Sequence, residues 1–192
     1  MIDKGRLMAI TDGIVAIAAT IMALELAVPE RFSLAAVRGQ MPTMVAFLIS
    51  FVQIFLSWHE HHDSFAFAEK INHRIFLLNC LWLFFITLLP FATGLIGQSA
   101  NHRYSVLVYI AVLFLVQVSI TIESRAIRKL NKTPILDEEV IRRIRVVSIV
   151  GYIIAAICTL VVPVSGLVVV LMLSAVEIVF MCTYDIKISK HI

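Results

Sequence analysis

The chain has 192 residues, 60% of them hydrophobic and 15% charged, with a mean hydropathy of +0.96. A soluble domain is nearer half apolar and about a quarter charged, so this composition excludes an ordinary soluble domain and indicates an all-α integral membrane protein. The net charge of +3 is small; the positions of the basic residues carry more information than their total, and nucleic acid is not an expected partner.

Six apolar segments approach the roughly 20 residues that cross a bilayer as a helix: 8–28, 43–58, 75–96, 104–122, 145–162 and 167–184. The first follows Lys4 and Arg6, an arrangement shared with signal peptides. Asp12 interrupts its apolar run, however, and no small-residue cleavage site precedes Glu25 and Glu30, so it reads as a retained span. The second begins after Pro42 and closes in "WHEHHDSF", Trp58–Phe65. The third contains Pro90. After the fourth comes the longest polar connection, 123–144. Within it, "TPILDEEVIRRIR" from Thr133 places acids before bases and predicts a helix start at Pro134. Pro163-Val164-Ser165-Gly166 predicts a tight hairpin between the last two helices. We find no sign of a second domain. Cys80, Cys158 and Cys182 lie in or beside apolar runs and are expected as small buried hydrophobes.

An even number of spans places both termini on one side. Thirteen of the sixteen Lys and Arg residues fall on that side, and only Arg31, Arg38 and Arg103 on the other. The positive-inside rule therefore places both termini in the cytoplasm.

Along the first helix Ile17, Thr20, Ile21 and Leu24 share one face by their spacing. Ala16, Ala19 and Ala23 form a separate small-residue stripe suited to close packing in lipid. Arg6 and Asp12 sit too far around the helix to pair with each other, so their partners are expected on other helices. In the second segment His59, His61 and His62 cluster after Trp58. The zincin pattern H-E-x-x-H is broken by Asp63, and we expect no metal, no catalytic residues and no cofactor. Asn79 lies at the same depth and needs partners if buried. Glu177, inside the sixth segment, stands open between an ion or proton site and a hydrogen-bonded acid. No nucleotide loop, nucleophile elbow or carbonyl-lined filter sequence is present.

These residues resemble the transmembrane protein 175 family of potassium channels in its bacterial, single six-helix form. The family hallmark R-x-x-x-F-S-D reads here as Arg6-Leu7-Met8-Ala9-Ile10-Thr11-Asp12, with Ile10 in place of phenylalanine and Thr11 in place of serine. "DGIVAIAATIMALEL", "WHEHH" and "LLNCLWLFFITLLPFATGLIG" continue the resemblance through the third helix.

The resemblance implies a homotetramer in a bacterial plasma membrane, with the first helix lining a pore for K+ and related monovalent cations. It implies a constriction at Ile17, further apolar layers at Ile21 and Leu24, and a hydroxyl position at Thr20. It also implies a hydrogen-bonded network at the cytoplasmic mouth from Arg6, Thr11, Asp12, Trp58, His61, His62 and Asn79, with Glu25 near the outer mouth. The competing readings are a proton-coupled secondary transporter, relaying through Asp12, Glu177 and the histidines, and a membrane metalloenzyme built on "HEHH".

Overall fold

The computed structural model describes residues 3–26, 33–66, 68–99, 102–132 and 138–189. It contains helices α1 (Lys4–Ile21), α2 (Leu34–Ala66), α3 (His73–Ser99), α4 (Arg103–Asn131), α5 (Glu138–Val161) and α6 (Ser165–Ser189). All six are long and apolar enough to cross a membrane, and the chain is a multi-pass membrane protein. Their cores coincide with the six apolar segments, but their ends do not, because hydropathy registers only the lipid-crossing part of a helix. With 33 residues, α2 is about 50 Å long at about 1.5 Å per residue, well beyond the hydrocarbon thickness of about 30 Å. It starts at Leu34, with Ser33 Oγ accepting from the Ala36 N–H, so Pro42 lies inside the helix instead of marking its start. Both α2 and α4 run on past the apolar segments through polar residues.

Local chemistry sets the other boundaries. Asp3 caps α1 by accepting from the Arg6 N–H at 2.9 Å, which starts the helix earlier than its apolar run. That helix also ends earlier than the expected 28: the backbone tightens into a 3-10 turn over Met22–Glu25, and Leu26 is extended. Residues 27 and 28 lie outside the described residues. Asn72 caps α3 by accepting from the Ile75 N–H. Asn131, at the end of α4, accepts from the N–H groups of Glu69 and Lys70 and donates to the Lys70 carbonyl. It thereby ties the α2–α3 connection to α4. The expected helix start at Thr133–Pro134 lies outside the described residues, within which α5 begins at Glu138.

The turn between α5 and α6 is as short as expected. A Cβ on Gly166 would overlap the Thr159 hydroxyl and crowd the Ala155 carbonyl, so glycine lets the two helices meet there. The core is built on α3 and α4, with Trp82, Ile86, Leu89, Tyr109 and Leu113 fully buried. The outer faces of α5 and α6 expose Ile153, Ile157, Leu160 and Met172, as helices that meet lipid or another subunit do. Cys80 and Cys182 are also exposed, and Cys158 is half-buried. They are not the buried hydrophobes expected, because each falls on an outward helix face.

Candidate functional site

On α1 the buried residues are Leu7, Thr11, Val15 and Ala18, with Met22 continuing the face into the turn. This spacing keeps one face against the bundle. The opposite face is open: Ile10 is 59% exposed, Ile17 58%, Ile21 45% and Leu24 79%. Thr20 and Gly13 lie on that side, and a Cβ at Gly13 would meet nothing within 4 Å. The Thr20 hydroxyl donates to the Ile17 carbonyl at 2.9 Å, which leaves its oxygen lone pairs free as acceptors.

Two expectations for α1 need correction. Of the alanine stripe only Ala19 is buried; Ala16 and Ala23 are exposed, because the bundle contacts the face centred on Val15 and Ala18. Leu24 lies in the 3-10 turn, where each residue advances about 120°, so it is not in strict register with Ile17 and Ile21. Glu25 packs against α3, where a Cβ on Gly94 would overlap its carboxylate.

The polar residues expected at the cytoplasmic mouth divide into a buried file and an exposed pair. In the file, the Thr11 hydroxyl donates to Asn79 Oδ1 at 3.2 Å, and Asn79 Nδ2 lies 2.9 Å from His61 Nε2. His61 is stacked between Phe65 and Trp82, with ring centroids 4.4 and 4.8 Å away. Such stacking fixes the imidazole plane and explains why it tolerates deep burial. The exposed pair is Trp58 Nε1 donating to Asp12 Oδ1 at 2.8 Å.

His62 does not join the file. It is half exposed, stacks near the Trp58 ring and lies 3.7 Å from Asp63. The Arg6 guanidinium has no hydrogen bond or ion pair among the described residues, so the network expected to include it does not do so within one chain. Among the described residues no three His, Cys, Asp or Glu side chains converge as a metal site requires.

Two further elements escaped the sequence reading. Glu123 of α4 is fully buried beside His61, with its Oε1 3.8 Å from Nε2. Its neighbour on α2, Glu60, accepts from the Ser124 hydroxyl at 2.6 Å and from Arg145 at 3.1 Å. Helical spacing does reveal Glu123, since it shares a face with Val116, Ile120 and Ile127, all buried.

Glu177 is a hydrogen-bonded acid: Gln53 Nε2 donates to one oxygen at 2.6 Å and the Ser148 hydroxyl approaches the other at 2.5 Å. Gln53 belongs to a buried polar stripe on α2 with Ser50, Ser57, His61 and Ser64. Among the described residues no hydrogen bond joins the Glu177 cluster to the file through Thr11.

Residues 6–90 match the family model for the endosomal/lysosomal potassium channel TMEM175, so the resemblance read from the motif around Asp12 extends from the first helix into the third. A potassium channel of Chryseobacterium sp. (strain P1-3) is 41% identical over 106 residues, 55% of this chain and 55% of that protein. A potassium channel of Chamaesiphon minutus is 34% identical over 106 residues, 52% of each chain. The human endosomal/lysosomal proton channel TMEM175 is 35% identical over 103 residues, 47% of this chain and 20% of the human protein. The matched regions thus span about half the length of the bacterial relatives. The crystal structure of a lysosomal potassium-selective channel TMEM175 homolog from Chamaesiphon minutus superimposes with a TM-score of 0.76 over 92% of this chain and 96% of that one, at 24% identity. That likeness establishes the shared fold. These relatives are potassium or proton channels.

Proposed function

We propose that the chain is the subunit of a potassium-permeable cation channel, a homotetramer in which α1 of each copy faces a central conduction path. The observation that carries this reading is the division of α1 into a buried face and an open face. Ile10, Gly13, Ile17, Thr20, Ile21 and Leu24 stand exposed on a helix whose other side is packed. A row of large apolar side chains on a membrane helix meets lipid, a partner or a pore. The named channel relatives and the shared fold favour the pore.

In this arrangement Ile17 forms the constriction. A ring of branched side chains resists wetting, and an ion crossing it sheds water without gaining replacement ligands. That penalty is greater for the smaller, more strongly hydrated sodium ion, so potassium is preferred without a dedicated cage, and modestly. Gly13 widens the path on the cytoplasmic side of Ile17. The Thr20 oxygen offers an acceptor to the ion as it leaves the constriction. Thr11 and Asp12 anchor the helix from behind, through α3 and α2 respectively. No cofactor takes part; the permeant ions are K+ and related monovalent cations.

The distribution of Lys and Arg favours a bacterial inner membrane topology with both termini cytoplasmic. The proton-coupled transporter reading requires a relay between Asp12 and Glu177. Their separation into unconnected hydrogen-bonded clusters favours the channel. Recording in planar bilayers distinguishes the two: unitary currents in potassium solution are expected, whereas saturating flux that needs a proton gradient would overturn the channel reading.

A further inference from the structure

Glu123 is completely buried, and neither carboxylate oxygen has a hydrogen-bond partner among the described residues. The facing basic atom is His61 Nε2 at 3.8 Å, on a side chain only 1% exposed. A buried carboxylate without a well-formed hydrogen bond is strongly disfavoured, so the pair has two acceptable states. In one the proton is on the carboxyl group; in the other it is on the imidazole, making an ion pair. The proton then belongs to the pair and not to either residue. We propose that Glu123 and His61 form a proton-binding site inside each protomer: the pair shares one proton, released to solution only at high pH, and the position of that proton on the carboxyl or the imidazole is transmitted to α1 through Asn79 and Thr11.

The transmission follows from counting donors and acceptors. The Thr11 hydroxyl donates to Asn79 Oδ1, so Asn79 turns its Nδ2 toward His61 Nε2. In that arrangement Nε2 is an acceptor and carries no hydrogen. When the proton moves from the carboxyl oxygen to Nε2, breaking the O–H bond and forming an N–H bond, Nε2 becomes a donor. The Asn79 amide must then turn over and present Oδ1 to His61 and Nδ2 to Thr11. The two ends of an amide have nearly the same shape, so both states fit the same packing. Thr11 changes from donor to acceptor, and its hydroxyl hydrogen must find another partner next to Asp12. One proton in the core thereby sets the hydrogen-bond polarity at the anchor of α1.

The surrounding groups are compatible with this assignment. Asp12 on α1 is held by Trp58, Glu60 on α2 is paired with Arg145 of α5, and His62 on α2 is half exposed. Among the described residues, α3 contributes the neutral Asn79 and Trp82. The Asn79 amide faces the pair with a donor, which suits a carboxyl oxygen or an imidazole lone pair and repels a metal cation. The site itself does not depend on α1 lining a pore.

Infrared pH-difference spectra of the full chain in lipid nanodiscs read the carbonyl stretch of protonated carboxyl groups. From about pH 4 to about pH 9, the wild type is expected to show such a band titrating with the same midpoint as the His61 nitrogen resonances in NMR of histidine-labelled protein. Glu123→Gln should remove the band. Thr11→Val should retain it and shift the Asn79 side-chain amide resonance. A band that persists in Glu123→Gln overturns the site, as does an Asn79 resonance indifferent to both the titration and Thr11→Val. Should Glu123→Gln not fold, the wild type decides alone: His61 locked in one protonation state across the range overturns the proposal, and a joint midpoint supports it. None of these measurements reads current, so their failure is distinct from failure of the channel reading.

Discussion

Thr11 and Asp12 are adjacent in sequence yet anchor α1 to different helices. The Thr11 hydroxyl, fully buried, donates to Asn79 of α3, whereas the Asp12 carboxylate, exposed, accepts from Trp58 of α2 at 2.8 Å. Two neighbouring side chains diverge by about 100° on a helix, so together they fix both the depth and the rotation of α1. That rotation is what leaves Ile17 on the open side.

If the Asp12–Trp58 bond fixes rotation, Trp58→Phe should lower stability by about 1 kcal/mol, at the small end for a charge-assisted bond because Asp12 is exposed. Asp12→Asn keeps an acceptor and should cost less than Asp12→Ala. Denaturation midpoints in mild detergent rank the variants. Equal midpoints for Asp12→Ala and wild type would show that the bond contributes nothing.

Arg6 has its backbone in the α1 cap but no side-chain partner among the described residues of its own chain. Arg6→Ala is therefore expected to preserve the helix content of the protomer while reducing the yield of tetramer, measured by circular dichroism and by cross-linking. Loss of helix content together with assembly would place the role of Arg6 within the chain.

For Glu177, the geometry predicts a structural effect and not a transport effect. Glu177→Ala removes the acceptor shared by Gln53 and Ser148, at about 1–3 kcal/mol in all, since Gln53 keeps Ser174 and Ser148 keeps the Ile144 carbonyl. Glu177→Gln preserves the shape and should conduct like wild type. Abolished flux in a stable, assembled Glu177→Gln protein would instead support a proton-coupled transporter.

At the α5–α6 turn, Gly166→Ala should destabilise by about 1–3 kcal/mol through overpacking, since its Cβ would meet Thr159 and the Ala155 carbonyl. Gly39, inside α2, has nothing within 4 Å of its Cβ position, so Gly39→Ala should be neutral or stabilising by up to about 1 kcal/mol. Thermal unfolding of the two variants side by side tests the contrast.

The six helices were legible because each carries enough consecutive apolar residues to be seen by hydropathy alone. Their ends were less so. The extension of α2 through "HEHHDSFA" and of α4 through Asn131 depends on packing and on side-chain ties such as Asn131 with the Glu69 and Lys70 backbone, which no local pattern announces. The open face of α1 was legible from Ile17, Thr20 and Ile21, whose spacing is helical. The packing face was misplaced onto Ala16 and Ala23 because small size indicates that a residue can be packed closely, not that it is. Glu123 is hard to read because it opens a stretch rich in charge that has the composition of a connection. Its spacing from Val116, Ile120 and Ile127 shows that it continues the buried face of α4.

Ile17 is the residue at which the conduction path can be tested most directly. In planar bilayers, unitary currents and reversal potentials in mixed potassium and sodium should be compared for wild type and Ile17→Asn, with Ala19→Asn as a control expected to disturb folding because Ala19 is buried. A polar amide at the constriction lowers the barrier to wetting, so Ile17→Asn is predicted to conduct more and to lose potassium preference. Unchanged conductance and unchanged reversal potential in a well-assembled Ile17→Asn protein would contradict the assignment of this face of α1 to the conduction path.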